Sequence, residues 1–347
     1  MENQMSTVMV TGGTGYIGSW VVKYLLEDGV NVHLTVRDKS KNEKYDHLSE
    51  IAQISQGDLK IYEADLLKQG SYLPAMEGCD TVFHIASPFL ISNIKNPQKQ
   101  LIEPALNGTR NVLESVNETI SVTKVVLTSS VVSIFGDNIE MRKTPKGIFT
   151  EDDWNQTSSL QHKPYSYSKV IAEKEAWAIN KAQDRWDMAV INPGFVMGPS
   201  LTSTSDSGSL DFMTSMLSGK YKSGVPSLEF GVVDVRDIAR AHIQAAILPA
   251  KGRHIIVNES MTMIKISKML QKMYGRTYKL PKMELPKIML YMVGWTQGMG
   301  WKTVKNNVGL PLKFDNSKSK KELKLEYTPP EQTFKDMTEQ MVKSGLV

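Results

Sequence analysis

Between Lys163 and Trp177 the chain reads KPYSYSKVIAEKEAW, which sets two phenols and an ammonium close together. Tyr165 and Lys169 are four residues apart, so a helix would carry both on one face, whereas Tyr167 is two residues from Lys169 and points elsewhere. A free phenol has a pKa of about 10, and an ammonium held beside it lowers that value toward a range where proton transfer at neutral pH is useful. Upstream, in LTSSVVSIFG, Ser130 ends an apolar run and offers a hydroxyl at a sheet edge. A Tyr-x-x-x-Lys pair alone is common by chance. It gains weight from that serine and from a glycine loop near the start of the chain.

That loop, TGGTGYIGSW, spaces Gly12, Gly15 and Gly18 by three. It follows a short apolar run and opens a helical pattern, the context a dinucleotide pyrophosphate requires. Gly12 permits the tight turn, Gly15 lets backbone approach the phosphates, and Gly18 packs helix on strand. Tyr16 and Ile17 fall at the helix start, where free amides would meet the phosphate charge, and are counted with the cofactor site. The second strand ends in TVRDKSKNEK, so Arg37 precedes Asp38, and Lys41 and Lys44 follow. A carboxylate at this place would grip the adenosine ribose of NAD. A guanidinium instead stacks on adenine and pairs with a 2′-phosphate, which favours NADP. Asp65, in YEADLL, either accepts from the adenine amino group or caps the next helix.

These groups need a scaffold that brings strand ends together. TVMVTGG, NVHLTVR, LKIYEAD, DTVFHIAS, TKVVLTSS and WDMAVINPG read as strands, with helical periods between them and a helix from about Gln98 to Val116. Repeated strand–helix alternation means a parallel sheet covered by helices on both faces, an α/β doubly wound Rossmann architecture. Residues 1–193 form this domain on that reading. Residues 229–258 return to it, because LEFGVVDVRDIARAHIQAAIL reads as a strand and a helix and RHIIVN as one more strand. Residues 194–228, with the Ser/Thr/Gly-rich GPSLTSTSDSGS as a mobile loop, and the Pro- and Met-rich 259–347 make a smaller, mainly helical substrate domain. The substrate cleft then lies between the two, beyond the carboxyl ends of the strands.

Composition narrows the function classes. A chain of 347 residues, 41% hydrophobic, can bury a substantial core. Its start, MENQMSTVMV, lacks the pattern of a signal peptide, and no apolar stretch reaches the roughly 20 residues of a membrane span, which leads to an expected cytoplasmic location and no membrane partner. Cys79 is the single cysteine, so neither an internal disulfide nor a cysteine-built zinc site can form, and the 6 scattered histidines make no metal motif. The net charge of +4 conceals 16 Lys and Arg against 7 Asp and Glu in residues 261–347. Those lysines alternate with carboxylates and not with stacking aromatics, so they read as solvated faces and no nucleic-acid partner is expected. The expected partner is a small-molecule carbonyl compound, handled by a monomer or a homodimer.

Taken in order, VTGGTGYIGSW, TVRD, ADLLKQGS, VFHIASPF, VLTSSVVSIFG, YSYSKVIAEKEAW, NPGFVMGP and VDVRDIARAH resemble an extended short-chain dehydrogenase/reductase over nearly the whole chain. Within that group the chain is similar to the dihydroflavonol-reductase-like branch, which includes plant cinnamoyl-CoA reductases and yeast methylglyoxal and 3-methylbutanal reductases. The resemblance implies a Ser130, Tyr165, Lys169 triad beside NADPH. It also implies that Arg37 and Lys44 hold the 2′-phosphate, Asp65 and Leu66 the adenine, Ala86 and Ser87 the ribose side, and Pro193 the nicotinamide. In the implied mechanism hydride goes to a carbonyl carbon while Tyr165 protonates its oxygen, Ser130 orients that oxygen, and Lys169 lowers the tyrosine pKa. Ser129 is the less favoured serine. Asn107 matches a family position and is left unassigned.

Departures from the family pattern bear on the substrate. Where plant flavonoid reductases carry an asparagine, this chain has Phe135, which is expected to line the substrate pocket and argues against flavonoids. Sugar-nucleotide dehydratases place Asp and Glu after the threonine of the fifth strand, whereas Ser129, Ser130 and Val131 follow Thr128 here. The apolar LPKIMLYMVGWTQGMGW is expected to cover the substrate cleft. The leading reading is an NADPH-dependent reductase of aldehydes and ketones. Its alternatives are a sugar-nucleotide epimerase or dehydratase, or a sterol-type dehydrogenase, on the same fold, and a silent NADP-binding regulator.

Overall fold

The structure, a computed structural model, describes residues 5–87, 94–202, 207–294 and 299–347. The end of the VFHIASPF motif, the middle of the expected mobile loop and residues 295–298 of the expected cleft cover lie outside the described residues.

Seven strands form the main sheet: β1 (Thr7–Thr11), β2 (Asn31–Val36), β3 (Leu59–Glu63), β4 (Thr81–His84), β5 (Lys124–Thr128), β6 (Asp187–Pro193) and β9 (Gly252–Ile256). All pair in parallel, in the order β3-β2-β1-β4-β5-β6-β9. Strands such as Val8–Val10, Val125–Val126 and Ala189–Ile191 are continuous apolar runs because both of their faces are covered, and all of these residues are buried. One face packs on α1 (Tyr16–Glu27) and α7 (Val235–Ile247), whose Val21, Val22, Leu25, Ile238 and Ala239 share a core with Val8, Val10 and Leu34. The other packs on α3 (Leu73–Met76), α4 (Glu103–Glu118) and α5 (Pro164–Lys181) through Ala75, Met76, Val112, Val116 and Ala176. The strand order reverses between β1 and β4, and in open parallel sheets ligands bind outside the carboxyl ends of the strands at such a point.

A smaller unit has its own sheet, β10 (Glu259–Thr262), β8 (Glu229–Asp234) and β7 (Phe195–Met197), with α6 (Gly208–Leu217), α8 (Met263–Tyr274) and α12 (Pro330–Lys343) packed on it. Its core is rich in methionine, including Met197, Met213, Met216, Met261 and Met337. Among the described residues the other α-helices are α2 (Asp46–Ile54), α9 (Lys287–Val293), α10 (Trp301–Asn307) and α11 (Ser317–Glu322).

Two boundaries differ from the sequence-based ones. The strand Glu229–Asp234 does not return to the main sheet; it pairs in parallel with β7 and antiparallel with β10, so the return begins at α7. Nor does the tail stay in the smaller unit: Leu323 and Leu325, just after α11, are buried in the α1/α7 core. A strand's period tells which faces are buried and not which neighbour buries them, so both differences lay beyond local patterning. Among the described residues no helix is long and apolar enough to cross a membrane.

Candidate active site

Helix α5 carries Tyr165 and Lys169 in its first two turns, with Pro164 at its first position, where a missing amide costs nothing. The Lys169 ammonium lies 5.9 Å from the centre of the Tyr165 ring. Burial pushes the Tyr165 phenol up to about 12. It also pulls the Lys169 ammonium down to about 8, against the pull of the Glu173 carboxylate in the other direction. The phenol's pKa is therefore raised, where the lysine was expected to lower it, and burial is the cause. The phenol stays protonated at neutral pH.

The turn into α5 is clasped from outside. Lys163 adopts a left-handed conformation (φ 54°), uncommon for a residue with a side chain. Its ammonium pairs with the fully buried Asp137 at 2.8 Å and bonds Asn307 Oδ1 at 3.0 Å and the Gly136 carbonyl. Asp137 also accepts from Asn306 at 2.9 Å and Asn307 at 2.8 Å, both from α10, and lies 2.9 Å from His162 Nε2. Lys163 and the two asparagine amides hold the Asp137 carboxyl well below the usual carboxylate range, despite its burial.

Strand β5 delivers the serines. Ser130 is half-buried; its hydroxyl accepts from the Val132 amide at 3.3 Å and points to the Pro193 carbonyl at 3.4 Å. Ser129 is buried and donates to Glu173 at 2.5 Å, which commits that hydroxyl to the protein interior. A small pocket beneath Lys169 is lined by His84, Ala86, Ser87, Thr128, Ser129 and Glu173. Ser130, Lys169 and Pro193 thus stand on three elements at one edge of the sheet, together with Ala86 and Ser87 from the end of β4. His84, bonded to Thr11 Oγ1 at 2.8 Å, is held neutral by burial, its pKa lowered to about 3.

The glycine loop fits a dinucleotide. Gly12 has φ +68°, and a Cβ there would stand 2.7 Å from the Ala86 backbone. A Cβ on Gly18 would stand 2.1 Å from the Gly12 carbonyl, so helix and loop touch backbone to backbone. Helix α1 starts at Tyr16 after the exposed Gly15, with no side chain capping its first turn and no carboxylate in it, which leaves the Tyr16 and Ile17 end of the helix to an outside anion. The Tyr16 phenol itself turns away and donates to the Gly198 carbonyl at 2.5 Å.

Arg37 and Lys44 are exposed beyond β2. The phenol of Tyr72 feels both Arg37 and Asp65, so these two charges share one corner of the sheet edge. Asp65 does not cap the next helix, which starts at Leu73; its Oδ1 accepts from the Leu67 amide at 2.8 Å and folds the turn that contains Leu66. A residue missed from sequence fixes that turn. Asn111, buried on α4, donates to the carbonyls of Asp65, Leu66 and Lys68 at 3.2, 3.1 and 2.9 Å and accepts from Gly70. Its place one helical turn after Asn107 is the only signal the sequence held. Phe135 departs from expectation: it is 8% exposed and packs in the core against Phe149 and Phe314, at 5.2 and 5.4 Å between ring centres. A bridge between Phe149 and Phe314, distant in sequence, creates that cluster. In the expected cleft cover, Leu290 is buried while Ile288 and Met292 are exposed.

Residues 8–258 match the family described as the NAD dependent epimerase/dehydratase family. Cinnamoyl-CoA reductase CAD2 of Medicago truncatula is 34% identical over 346 residues, covering 98% of this chain and 97% of its own. Anthocyanidin reductase of Arabidopsis thaliana is 32% identical over 298 residues, 81% of this chain and 85% of its own. Among solved structures, Gre2 of Candida albicans in complex with NADPH shares 29% identity at a TM-score of 0.77, with 98% of this chain and 99% of that one covered. Yeast methylglyoxal/isovaleraldehyde reductase complexed with NADPH shares 25% identity at a TM-score of 0.79, with 98% and 100% covered.

Proposed function

The chain belongs to the NAD dependent epimerase/dehydratase family, and from that premise we propose that it is an NADPH-dependent reductase that converts aldehyde and ketone carbonyls to alcohols. The reading rests on Tyr165 and Lys169 standing one turn apart on α5, with the Lys169 ammonium 5.9 Å from the centre of the Tyr165 ring, and on Ser130 just after β5, at the start of a turn that packs against α5. Bound NADPH supplies the hydride. The chain's own part is to hold, orient and protonate. The α1 amino end and the Gly12–Gly18 loop bind the pyrophosphate, Arg37 and Lys44 meet the 2′-phosphate, and the Asp65–Leu66 turn flanks the adenine. Ala86, Ser87 and Pro193 line the path toward the nicotinamide. Ser130 donates to the substrate carbonyl oxygen, and Tyr165, protonated across the neutral range, gives its proton to that oxygen as negative charge develops there. Lys169 places a positive charge beside both. An elimination mechanism lacks support at the same spot, since Ser129 and Ser130 occupy the positions after Thr128 and the nearby carboxylate, Glu173, is saturated with hydrogen bonds.

A panel of aldehydes, diketones, ketoesters and sugar nucleotides, followed by loss of NADPH absorbance and by product analysis, tests this. Turnover of carbonyls with NADPH preferred over NADH is the expected result. Binding of NADPH with no carbonyl turned over, or conversion of a sugar nucleotide instead, would overturn it.

A further inference from the structure

Glu173 lies one helical turn beyond Lys169 and is 1% exposed. Its Oε2 accepts from the Ser129 hydroxyl at 2.5 Å and the Asn192 amide at 3.0 Å, and Ser133 Oγ is 2.5 Å away. Its Oε1 accepts from Arg253 Nε at 2.6 Å and Trp177 Nε1 at 3.3 Å. Arg253, on β9, is itself buried; it stacks 3.9 Å over the Trp154 ring and donates to the Glu151 and Asp153 carbonyls at 2.8 and 2.6 Å. The same cluster reaches Ser130, whose carbonyl lies 2.7 Å from Ser133 Oγ and 3.3 Å from Asn192 Nδ2.

We infer that Glu173 is a positioning residue for the reduction, tying together the elements that carry Ser130, Lys169 and Pro193 and presenting to Lys169 the negative end of a buried ion pair. The inference rests on the roles proposed above for Tyr165 and Lys169. An ion pair as deeply buried as Glu173–Arg253 is a poor device for stability alone, because desolvating two charges offsets most of their attraction. Its direction gives it a use. The groups facing Lys169 are Tyr165 on its own helix, His84 from β4 and Glu173; the first two are neutral, and Glu173 is the charge that favours the ammonium. The group facing Glu173 from the far side is Arg253, from β9, whose guanidinium pairs with it at 2.6 Å.

The ammonium of Lys169 is the form that assists proton donation, so its loss should set an alkaline limb in the rate profile. Turnover of the full chain with NADPH is measured from about pH 6 to about pH 10 for wild type, Glu173→Gln, the double variant Glu173→Gln/Arg253→Gln and Arg253→Lys, each checked by thermal midpoint and NADPH titration. The alkaline limb should move down by about one pH unit in Glu173→Gln and in the double variant, which leaves no unpaired charge, and stay in place in Arg253→Lys. An unmoved limb in folded Glu173→Gln or in the folded double variant would overturn the inference, as would a double variant that cannot fold, since the pair would then serve stability only. Wild-type protein that binds NADPH but reduces no carbonyl would overturn the reductase reading instead, a result told apart by the absence of any limb to move.

Discussion

At the scale of single residues, the burial that pushes the Tyr165 phenol up to about 12 makes it a stable proton carrier at neutral pH and suits it to donate to an alkoxide-like oxygen. Tyr165→Phe keeps the ring and removes the transferable proton. Carbonyl reduction should fall about 10²- to 10⁴-fold, with NADPH affinity and thermal midpoint nearly unchanged. Tyr167→Phe should keep most of its turnover, because position 167 leaves the helix on another face from Lys169. A dead Tyr167→Phe beside an active Tyr165→Phe, both folded, would refute the register and the assignments of Ser130 and Lys169 with it. Ser129 and Ser130, adjacent in sequence, divide their duties by direction: one hydroxyl is spent on Glu173 and the other lies at the Pro193 edge.

At the scale of elements, the clasp around Asp137 joins α10 to the turn that launches α5. Lys163 is held in its left-handed conformation by that carboxylate, and Tyr165 follows two residues later. Asp137→Ala strands the Lys163 cation and both asparagine amides. We expect a loss of about 3 kcal/mol in a denaturant titration, with reduced turnover because the first turn of α5 loses its anchor. The sign of the pH effect follows from the depressed pKa of Asp137. Its stabilisation is fully present above the ordinary carboxylate value of about 3.9 and fades as pH falls through the lower folded value. Wild type should therefore lose stability in acid faster than Asp137→Ala, and parallel acid curves would refute the assignment.

At the scale of the whole molecule, the two units are interleaved. Strand β6 runs into β7 of the small sheet, β8 leads into α7 on the large one, and the tail comes back through α11 and Leu323 before ending in α12 on the small sheet. A chain ended after residue 258 retains every strand of the main sheet, yet it loses Leu323, Leu325 and the part of the methionine-rich core formed by Met261, Met263, Met337 and Met341. We expect it to be degraded rapidly by limited proteolysis and to show no cooperative thermal transition. A sharp transition in that fragment would show that the large unit folds on its own. Arg236 adds to the interleaving, pairing with Asp234 and with Asp336 of α12 at 2.7 Å each.

What the sequence determined by itself is whatever depends on neighbours a few residues away. Alternating strands and helices, the glycine turn ahead of α1, and Tyr165 and Lys169 on one helical face are all set by local periods and by the conformations glycine allows, and all are legible without the fold. Tertiary structure decided what depends on partners far along the chain. Glu173 reads as one more helix-surface glutamate until β5, β6 and β9 supply Ser129, Asn192 and Arg253; Phe135 passes for a pocket residue until Phe149 and Phe314 close on it; and Asn111 acquires its role only when the turn after β3 folds against α4. The fully buried Asp137 acquires its partners when α10 arrives with Asn306 and Asn307. A buried polar group must be satisfied, but its own sequence does not say by whom, because the satisfying groups are chosen by packing.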